Sequence, residues 1–345
     1  MTGIAHTPVM LEEALAYLVP PDEGSLLLDC TLGEGGHAEA FLARYPSLRC
    51  LGVDADPSIQ AKARERLAPF GERVAFRLGY FDEVLADWDA LDLNWRGQRP
   101  SLVLFDLGIS MYHFAESGRG FGHGRDEVLD MRLSPEAPRS AADILAQESE
   151  FELARIIFEY GEERMSRRIA RAIVEARRRA PVATTGALAE LVWAAVPPSY
   201  RHGRIHPATR TFQALRIAVN DELARAERGI RLAASLLTPG GVMAVIAFHS
   251  LEDRVAKRTI RELAGHANGH EAGAEGRGAA SLSTSARNSP ISEGKGGRVL
   301  LELVTKKPLE PKSEEVARNP ASRSAKMRVA RKVLEAGDRG RRTAA

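Results

Sequence analysis

Short apolar runs alternate along this chain with longer stretches in which apolar residues recur every three or four positions. The runs predict buried strands and the stretches predict amphipathic helices, a pattern typical of an α/β protein with an open parallel sheet. Strands are predicted at 26–28, 48–53, 74–78, 101–105, 242–248 and 298–305. Between the fourth and fifth strands, helices are predicted at 150–160, 162–179, 185–195 and 209–237.

These elements predict a sheet domain that is interrupted by a helical insertion. We assign residues 1–112 and 205–310 to the sheet domain and 113–204 to the inserted helical domain, with a role in substrate recognition. The last predicted helix is given to the sheet domain because it leads directly into Gly240-Gly241 and the next strand. Residues 265–297, of low complexity, predict a mobile loop, and 311–345 predict a basic C-terminal tail.

Composition narrows the class of protein. The chain has 345 residues, of which 44% are hydrophobic and 27% charged, enough for a sizeable core. No apolar run approaches the roughly 20 residues of a membrane helix, and the N-terminus lacks an export signal. Cys30 and Cys50 both lie at predicted strands, which argues against a disulfide scaffold or a metal cluster. We therefore expect a cytoplasmic protein with no membrane contact and no required metal.

The net charge of +2 conceals an uneven distribution. Residues 318–342 carry nine Lys and Arg side chains against only Glu335 and Asp338, and a second basic run spans 164–179. Charge runs are often solvated faces, but two of them in one chain favour a phosphate-rich partner. On this view, removing the residues from 318 onward weakens binding of that partner and leaves cofactor affinity intact.

The segment Asp-Cys-Thr-Leu-Gly-Glu-Gly-Gly-His at 29–37 follows the first apolar run, and Asp54 ends the second. A strand, a glycine turn, a helix and an acid-tipped strand form a nucleoside-binding βαβ unit, although such turns also occur without a ligand. The glycines allow close approach of a ligand, and the acid can accept hydrogen bonds from a ribose. The compressed spacing Gly35-Gly36-His37 lacks the dinucleotide fingerprint, so it suits S-adenosylmethionine at least as well as NAD.

Further candidates lie where the other predicted strands end. Phe81 can lie against adenine or belong to the core, and Asp106 can bind the amino acid moiety of a cofactor or an incoming amine, or merely cap its strand. After the fifth strand, Ser250 and Asp253 resemble a capping box, which leaves His249 and Arg254 to form a wall of the site and position the substrate.

Two absences limit the chemistry. Neither cysteine follows a proline or lies in a loop, so the nucleophile for methylation at C5 of a pyrimidine is missing. The Asp/Asn-Pro-Pro-aromatic motif of many amino methyltransferases is also absent after the fourth strand.

The chain resembles the bacterial 16S ribosomal RNA cytosine-N4 methyltransferases over nearly its whole length, the 265–297 segment excepted. The matching segments are His6–Met10, Gly33–His37, Arg119–Phe121, Leu129–Arg132, Tyr160–Glu163, His206–Arg210, Phe212–Arg216, Phe248–Arg254, Asn319-Pro320 and Arg323–Lys326. The resemblance implies a Rossmann-like class I S-adenosylmethionine-dependent methyltransferase with an inserted all-helical domain. It also implies methyl transfer to N4 of one cytidine in the decoding region of 16S rRNA, within the small ribosomal subunit or its precursor.

Carried over by motif, the cofactor-binding residues implied by the resemblance are Gly35, Gly36, His37, Asp54, Phe81, Asp106 and His113. Two positions depart from the family pattern. His113 stands where the family has Gln, so an imidazole replaces an amide that offers a donor and an acceptor together. Ala321 stands where the family usually has Arg, which removes one candidate phosphate contact.

Proximity and orientation alone can drive the methyl transfer, so a catalytic base is not required. Asp106 is the first candidate for orienting the amine and His249 the second. Two alternatives remain at this point: a ribosome-assembly factor that binds RNA and uses the cofactor only structurally, and a methyltransferase for small molecules or proteins. Whether the chain acts as a monomer or a homodimer is left open.

Overall fold

Seven strands form one mixed sheet in the computed structural model, which describes residues 8–93, 95, 97–266 and 299–334. The strands are β1 (Leu26–Asp29), β2 (Arg49–Asp54), β3 (Val74–Leu78), β4 (Leu102–Asp106), β5 (Val242–Ala247), β6 (Leu301–Leu303) and β7 (Lys326–Lys332).

The strand order is β3-β2-β1-β4-β5-β7-β6. Strands β1 to β5 pair in parallel, whereas β7 lies antiparallel between β5 and β6. This is the Rossmann-like class I arrangement that the resemblance implied, and that prediction is confirmed, although the sheet is mixed rather than wholly parallel. The order reverses between β1 and β4, the point at which open α/β sheets bind ligands beyond the carboxyl ends of their strands.

Helices cover both faces of the sheet and build the insertion. In the described residues they are α1 (Leu11–Tyr17), α2 (Gly36–Arg44), α3 (Pro57–Leu67), α4 (Phe81–Ala86), α5 (Met111–Ala115), α6 (Ala141–Gln147), α7 (Glu150–Gly161), α8 (Ser166–Arg177), α9 (Thr185–Ala195), α10 (Pro198–Arg201), α11 (Ala208–Asn220), α12 (Glu222–Leu236), α13 (Ser250–Leu263) and α14 (Ser313–Arg318). None of these helices combines the length and the apolarity that crossing a membrane requires.

The long helix predicted at 209–237 is two helices. Asp221 separates α11 from α12 with a left-handed φ of 52°. Phe212 and Leu215 of α11 are buried in the core of the insertion, while Ile230 and Ala233 of α12 are buried against the sheet. The packing boundary therefore lies at Asp221, not at 204/205, because α11 belongs to the insertion.

The prediction of a basic tail from residue 311 is wrong for the part of it that is described. Residues 313–318 form α14, 320–324 form a 3₁₀ turn, and 326–332 form β7 inside the sheet. In β7 the buried Met327 and Val329 alternate with basic side chains. This period of two is the sequence signature of a strand. Residues 335–345, and most of the predicted mobile loop at 265–297, lie outside the described residues.

Candidate functional site

A cavity of about 360 Å³ opens at the carboxyl ends of β1, β2, β4 and β5. Its lining combines the glycine loop, Asp54, Asp106 and His249 with apolar side chains such as Phe248. The sequence candidates from four separate strand ends are thus brought to one edge of the sheet, as parallel strand topology requires.

Within the glycine loop, Gly33 and Gly36 line the cavity, whereas Gly35 does not. Gly33 has φ 53° and its N–H donates to Asp54 Oδ2 at 2.8 Å, which joins the loop to the second strand. Gly35, at φ 80°, caps α2 and packs on α3, where an added Cβ would lie 3.1 Å from Leu67 Cδ1. Gly35 therefore shapes the loop, and the residue that the motif reading missed is Gly33.

Asp54 is held by two backbone donors, because Oδ1 also accepts the N–H of Asp56 at 2.9 Å. Burial raises the pKa of the Asp54 carboxyl to about 6. Each carboxylate oxygen has a second lone pair, so both can still accept a hydroxyl from a ligand in the cavity.

Behind Asp54 lies a buried ion-pair group that sequence reasoning missed. Asp56, 1% exposed, accepts a hydrogen bond from His113 Nε2 at 2.9 Å and another from Arg119. Burial acts to raise the pKa of Asp56, but the His113 and Arg119 hydrogen bonds bring it down to about 2. The ionised Asp56 favours a proton on His113 Nε2, while Nδ1 is buried with no hydrogen-bond partner. His113 is also among the residues that line the cavity.

Asp106 stands at the end of β4 with His37 beside it. His37 Nδ1 lies 3.6 Å from Asp106 Oδ2, and Asp106 Oδ1 is buried with no hydrogen-bond partner. Burial, with the neighbouring carboxyls of Asp29 and Glu252, raises the pKa of Asp106 well above its ordinary value. An unsatisfied buried carboxyl oxygen is unusual, since such atoms are normally paired. The role of Asp106 as a cofactor or amine contact stays a prediction.

The position of Phe81 is compatible with both predictions made for it, a contact with adenine and a place in the core. It lines the cavity, and it also packs edge-on against Phe105 with ring centroids 5.4 Å apart. Gly229 of α12 makes room for the ring, because a Cβ there would lie 2.5 Å from Phe81 Cδ2. The ring is thus held in one orientation by the core while one side faces the cavity.

The capping box at the start of α13 is formed one residue earlier than predicted. His249 is the N-cap, its side chain accepts the Glu252 N–H, and Glu252 accepts the His249 N–H in return. Asp253 instead binds Arg328 of β7 at 2.7 Å. His249 keeps its predicted place at the cavity.

Ser250 and Arg254 contact Glu162 of the insertion, at 2.8 and 3.0 Å. Arg254 is not among the residues that line the cavity, and its role in positioning the substrate stays a prediction. Its contact instead joins the two domains beside the cavity.

Glu222, His249 and Glu252 bring donor atoms within 4.8 Å of one another, as a metal site would. Arg216 holds both oxygens of Glu222 at 2.9 Å, and the Phe248 N–H donates to Glu252 at 2.8 Å. His249 Nε2 lies 3.2 Å from Glu252 Oε1 but makes no hydrogen bond within the described residues. The carboxylates are thus occupied by protein donors, and the expectation of no required metal stays a prediction.

The cysteines do not form a disulfide. Cys30 lines the cavity, but burial raises the pKa of its thiol well above the ordinary value. A buried thiol of this kind is not a nucleophile at neutral pH, in agreement with the exclusion of covalent chemistry.

Asp29, at the end of β1, affects how the stability of the protein depends on pH. It is 1% exposed, and burial raises its pKa to about 7. The folded state thus holds this proton more tightly than the unfolded state, so stability falls as pH rises from about 4 to about 7. We expect Asp29→Asn to raise the free energy of unfolding at pH 8 by on the order of 2–4 kcal/mol, and by less at pH 5.

Urea unfolding of both proteins at the two pH values measures this effect. Asp89→Asn is the matched control, because the Asp89 side chain is 84% exposed and, within the described ranges, pairs with Arg99 alone. An equal gain at both pH values, or a gain in the control, contradicts the account of Asp29.

Comparison with known proteins identifies relatives over almost the whole chain. The model of the MraW methylase family matches residues 3–333. Ribosomal RNA small subunit methyltransferase H of Treponema denticola is 50% identical over 328 residues, which cover 95% of this chain and 97% of that protein. The protein of the same name from Nostoc sp. is 43% identical over 334 residues, with coverages of 97% and 95%. An rRNA methylase structure from Streptococcus thermophilus aligns with a TM-score of 0.39 at 10% identity, covering 94% of each chain, and adds nothing to these matches.

Proposed function

Because this chain belongs to the MraW methylase family, we propose that it methylates the exocyclic N4 of a specific cytidine in the decoding region of 16S rRNA. The chain is an S-adenosylmethionine-dependent methyltransferase. The observation that carries the finer assignment is the partly exposed carboxyl of Asp106 in the wall of the cavity, where it could meet an amine. The relatives named as small-subunit rRNA methyltransferases support RNA as the substrate.

The chemical types of the cavity residues support binding of this cofactor. Asp54 would accept the ribose hydroxyls, Phe81 would lie against adenine, and the His113 ring would contact the nucleoside. Gly36 and His37 would contact the methionine moiety along the loop, with Gly33 added to the set that the resemblance implied. When bound, S-adenosylmethionine supplies a methyl group on a positively charged sulfonium.

Asp106 would act on the nucleophile. The lone pair of cytosine N4 is delocalised into the ring, so the free amine is a poor nucleophile. A carboxylate that accepts an N–H hydrogen bond from N4 makes the lone pair more available and aims it along the line of attack. His37 and His249 border the same space, and His249 is the second candidate for contact with the base.

The substrate would be an RNA segment with its base turned out of the stack, since the cavity lies below the surface. The insertion would help to hold that RNA, because it carries exposed arginines at the start of α8 and just before it, namely Arg164, Arg167, Arg168 and Arg171. The small ribosomal subunit or its precursor, in the cytoplasm, would provide the target.

Methyl transfer from labelled cofactor tests the proposal. Small subunits from a strain that lacks the gene, and free 16S rRNA beside them, are incubated with the protein, and nucleosides are identified by mass spectrometry. We expect N4-methylcytidine at one position. Label in another nucleoside defeats the N4 assignment, whereas cofactor binding without any transfer favours an assembly factor. Label found only in protein or small molecules favours the third class.

A further inference from the structure

The C-terminal segment that follows β6 lies at the mouth of the cavity. Ala321 lines the cavity, and Glu315 of α14 accepts the N–H of Met10 at 2.7 Å, next to the cavity residue Val9. Ser322 is buried and donates to the Asn319 carbonyl at 2.8 Å. The segment is thus tied to the N-terminal residues and held in one conformation.

Strand β7 begins at the same edge. Because it runs antiparallel to β5, Lys326 lies opposite Ala247, directly before the cavity residues Phe248 and His249. The first residue of β7 is therefore level with the ligand-binding end of the sheet, and the last, Lys332, is at the far end.

In this segment, Arg328 and Arg331, which lie farther from the cavity, have carboxylate partners, whereas the basic side chains nearer the cavity do not form such pairs within the described residues. Arg328 forms a two-point pair with Asp253 at 2.7 and 2.9 Å, and Arg331 lies 3.5 Å from Glu302. At the cavity end, the exposed Arg318 and Arg323 and the half-buried Lys326 make no ion pair with any residue in the described ranges. Arg318 donates to the Glu314 carbonyl of its own helix at 3.2 Å, and its charge also helps to lower the pKa of Glu12.

Some arginines elsewhere on the sheet domain have carboxylate partners, for example Arg99 with Asp89 and Arg258 with Glu227, whereas the exposed Arg64 binds the neutral side chain of Gln60. Arg323 and Lys326, together with Arg318 near Glu12, concentrate positive charge on the segment that contributes Ala321 to the cavity. Guanidinium and ammonium groups in that position suit phosphodiester oxygens.

We propose that Arg318, Arg323 and Lys326 form a cationic rim that binds the RNA backbone beside the nucleotide held in the cavity. The inference rests on the proposed function, since it presupposes an RNA substrate. The rim would fix the register of the strand without reading its sequence, because phosphate contacts carry no base information. Ala321, between the two arginines, is the place where a further cation would extend the rim.

The test uses the full chain and a labelled single-stranded RNA of about 20 nucleotides, with binding followed by fluorescence anisotropy at several salt concentrations. The double variant Arg323→Gln/Lys326→Gln is expected to bind about tenfold more weakly and to lower the slope of log K against log salt by about 1.4, for two lost phosphate contacts. Arg331→Gln, on the same strand but already paired with Glu302, is the matched control and is expected to change neither quantity. Cofactor affinity, measured by calorimetry, is expected to be equal in all three proteins.

Ala321→Arg provides a gain-of-binding variant that removes nothing from the fold. It is expected to steepen the salt slope by about 0.7. The rim is refuted if the double variant behaves like wild type or no differently from Arg331→Gln, if cofactor affinity falls in parallel with RNA affinity, or if Ala321→Arg leaves the slope unchanged. Methyl transfer by the unaltered protein is assayed separately: its absence defeats the proposed function, while the slopes still decide on the rim.

Discussion

A chain that ends at residue 325 is expected to lose its fold rather than only its RNA affinity. Strand β7 pairs with β5 over six positions and with β6 over three, and Met327, Val329 and Ala330 are at most 1% exposed. Burial of a Met or Val side chain is worth about 1.5–3 kcal/mol. Since domains are stable by only about 5–15 kcal/mol, losing these side chains and both hydrogen-bond ladders removes most of the margin.

Circular dichroism, thermal unfolding and limited proteolysis measure this loss. The matched control is a chain that ends at residue 334, which keeps β7 and removes the terminal basic residues. We expect the control to remain folded and to bind cofactor like the full chain. A 1–325 chain that unfolds cooperatively within a few degrees of the control contradicts the role assigned to β7.

Replacing Asp106 with Ala is expected to lower kcat for methyl transfer by about 100-fold or more, the usual size of an effect on a positioned acid or base. The reason is that the partly exposed carboxyl of Asp106 lies in the cavity wall, and its buried Oδ1 has no hydrogen-bond partner among the described residues. Asp106→Asn keeps the shape and one acceptor oxygen but no charge, so its loss of kcat should be smaller.

The pH dependence of the rate of methyl transfer distinguishes the effect of the Asp106 charge from the effect of its shape. Burial and the neighbouring Asp29 and Glu252 raise the pKa of Asp106, so its carboxylate is lost as pH falls through a value well above that of an ordinary Asp. Single-turnover transfer by the wild type should decline over that range, and Asp106→Asn should lack the decline. Cofactor affinity is measured alongside: a variant with normal kcat and weakened cofactor binding would make Asp106 a cofactor contact only.

The strands and the cofactor loop could be predicted because both depend on residues that lie close together in the sequence. The runs at 74–78 and 242–248 are β3 and, to within one residue, β5. Asp54 and Asp106 reached one cavity because parallel strands present their carboxyl ends together. The structure does not test their roles or those of the other predicted contacts, and these stay proposals.

The errors arose where charge obscured a short-range pattern or where one residue changed the chain direction. The basic side chains of 326–332 indicated a tail, although Met327 and Val329 alternate with them as a strand requires. Asp221 is neither Gly nor Pro, yet its left-handed conformation ends α11 and changes the direction of the chain. As a result, α11 packs in the insertion and α12 packs against the sheet. The capping box moved by one residue because His249 and Glu252 serve as well as Ser250 and Asp253.

The sequence by itself determined the class of fold, the kind of cofactor loop and the motifs shared with the rRNA methyltransferases, because these depend on spacing within a few tens of residues. Only the tertiary structure decided which groups are paired. Asp56 meets His113 and Arg119 from 57 and 63 residues away, and Arg328 meets Asp253 across 75. Ion pairing depends on distance in space, so the same folding that satisfies Arg328 leaves Arg323 at the cavity mouth without a partner in the described residues.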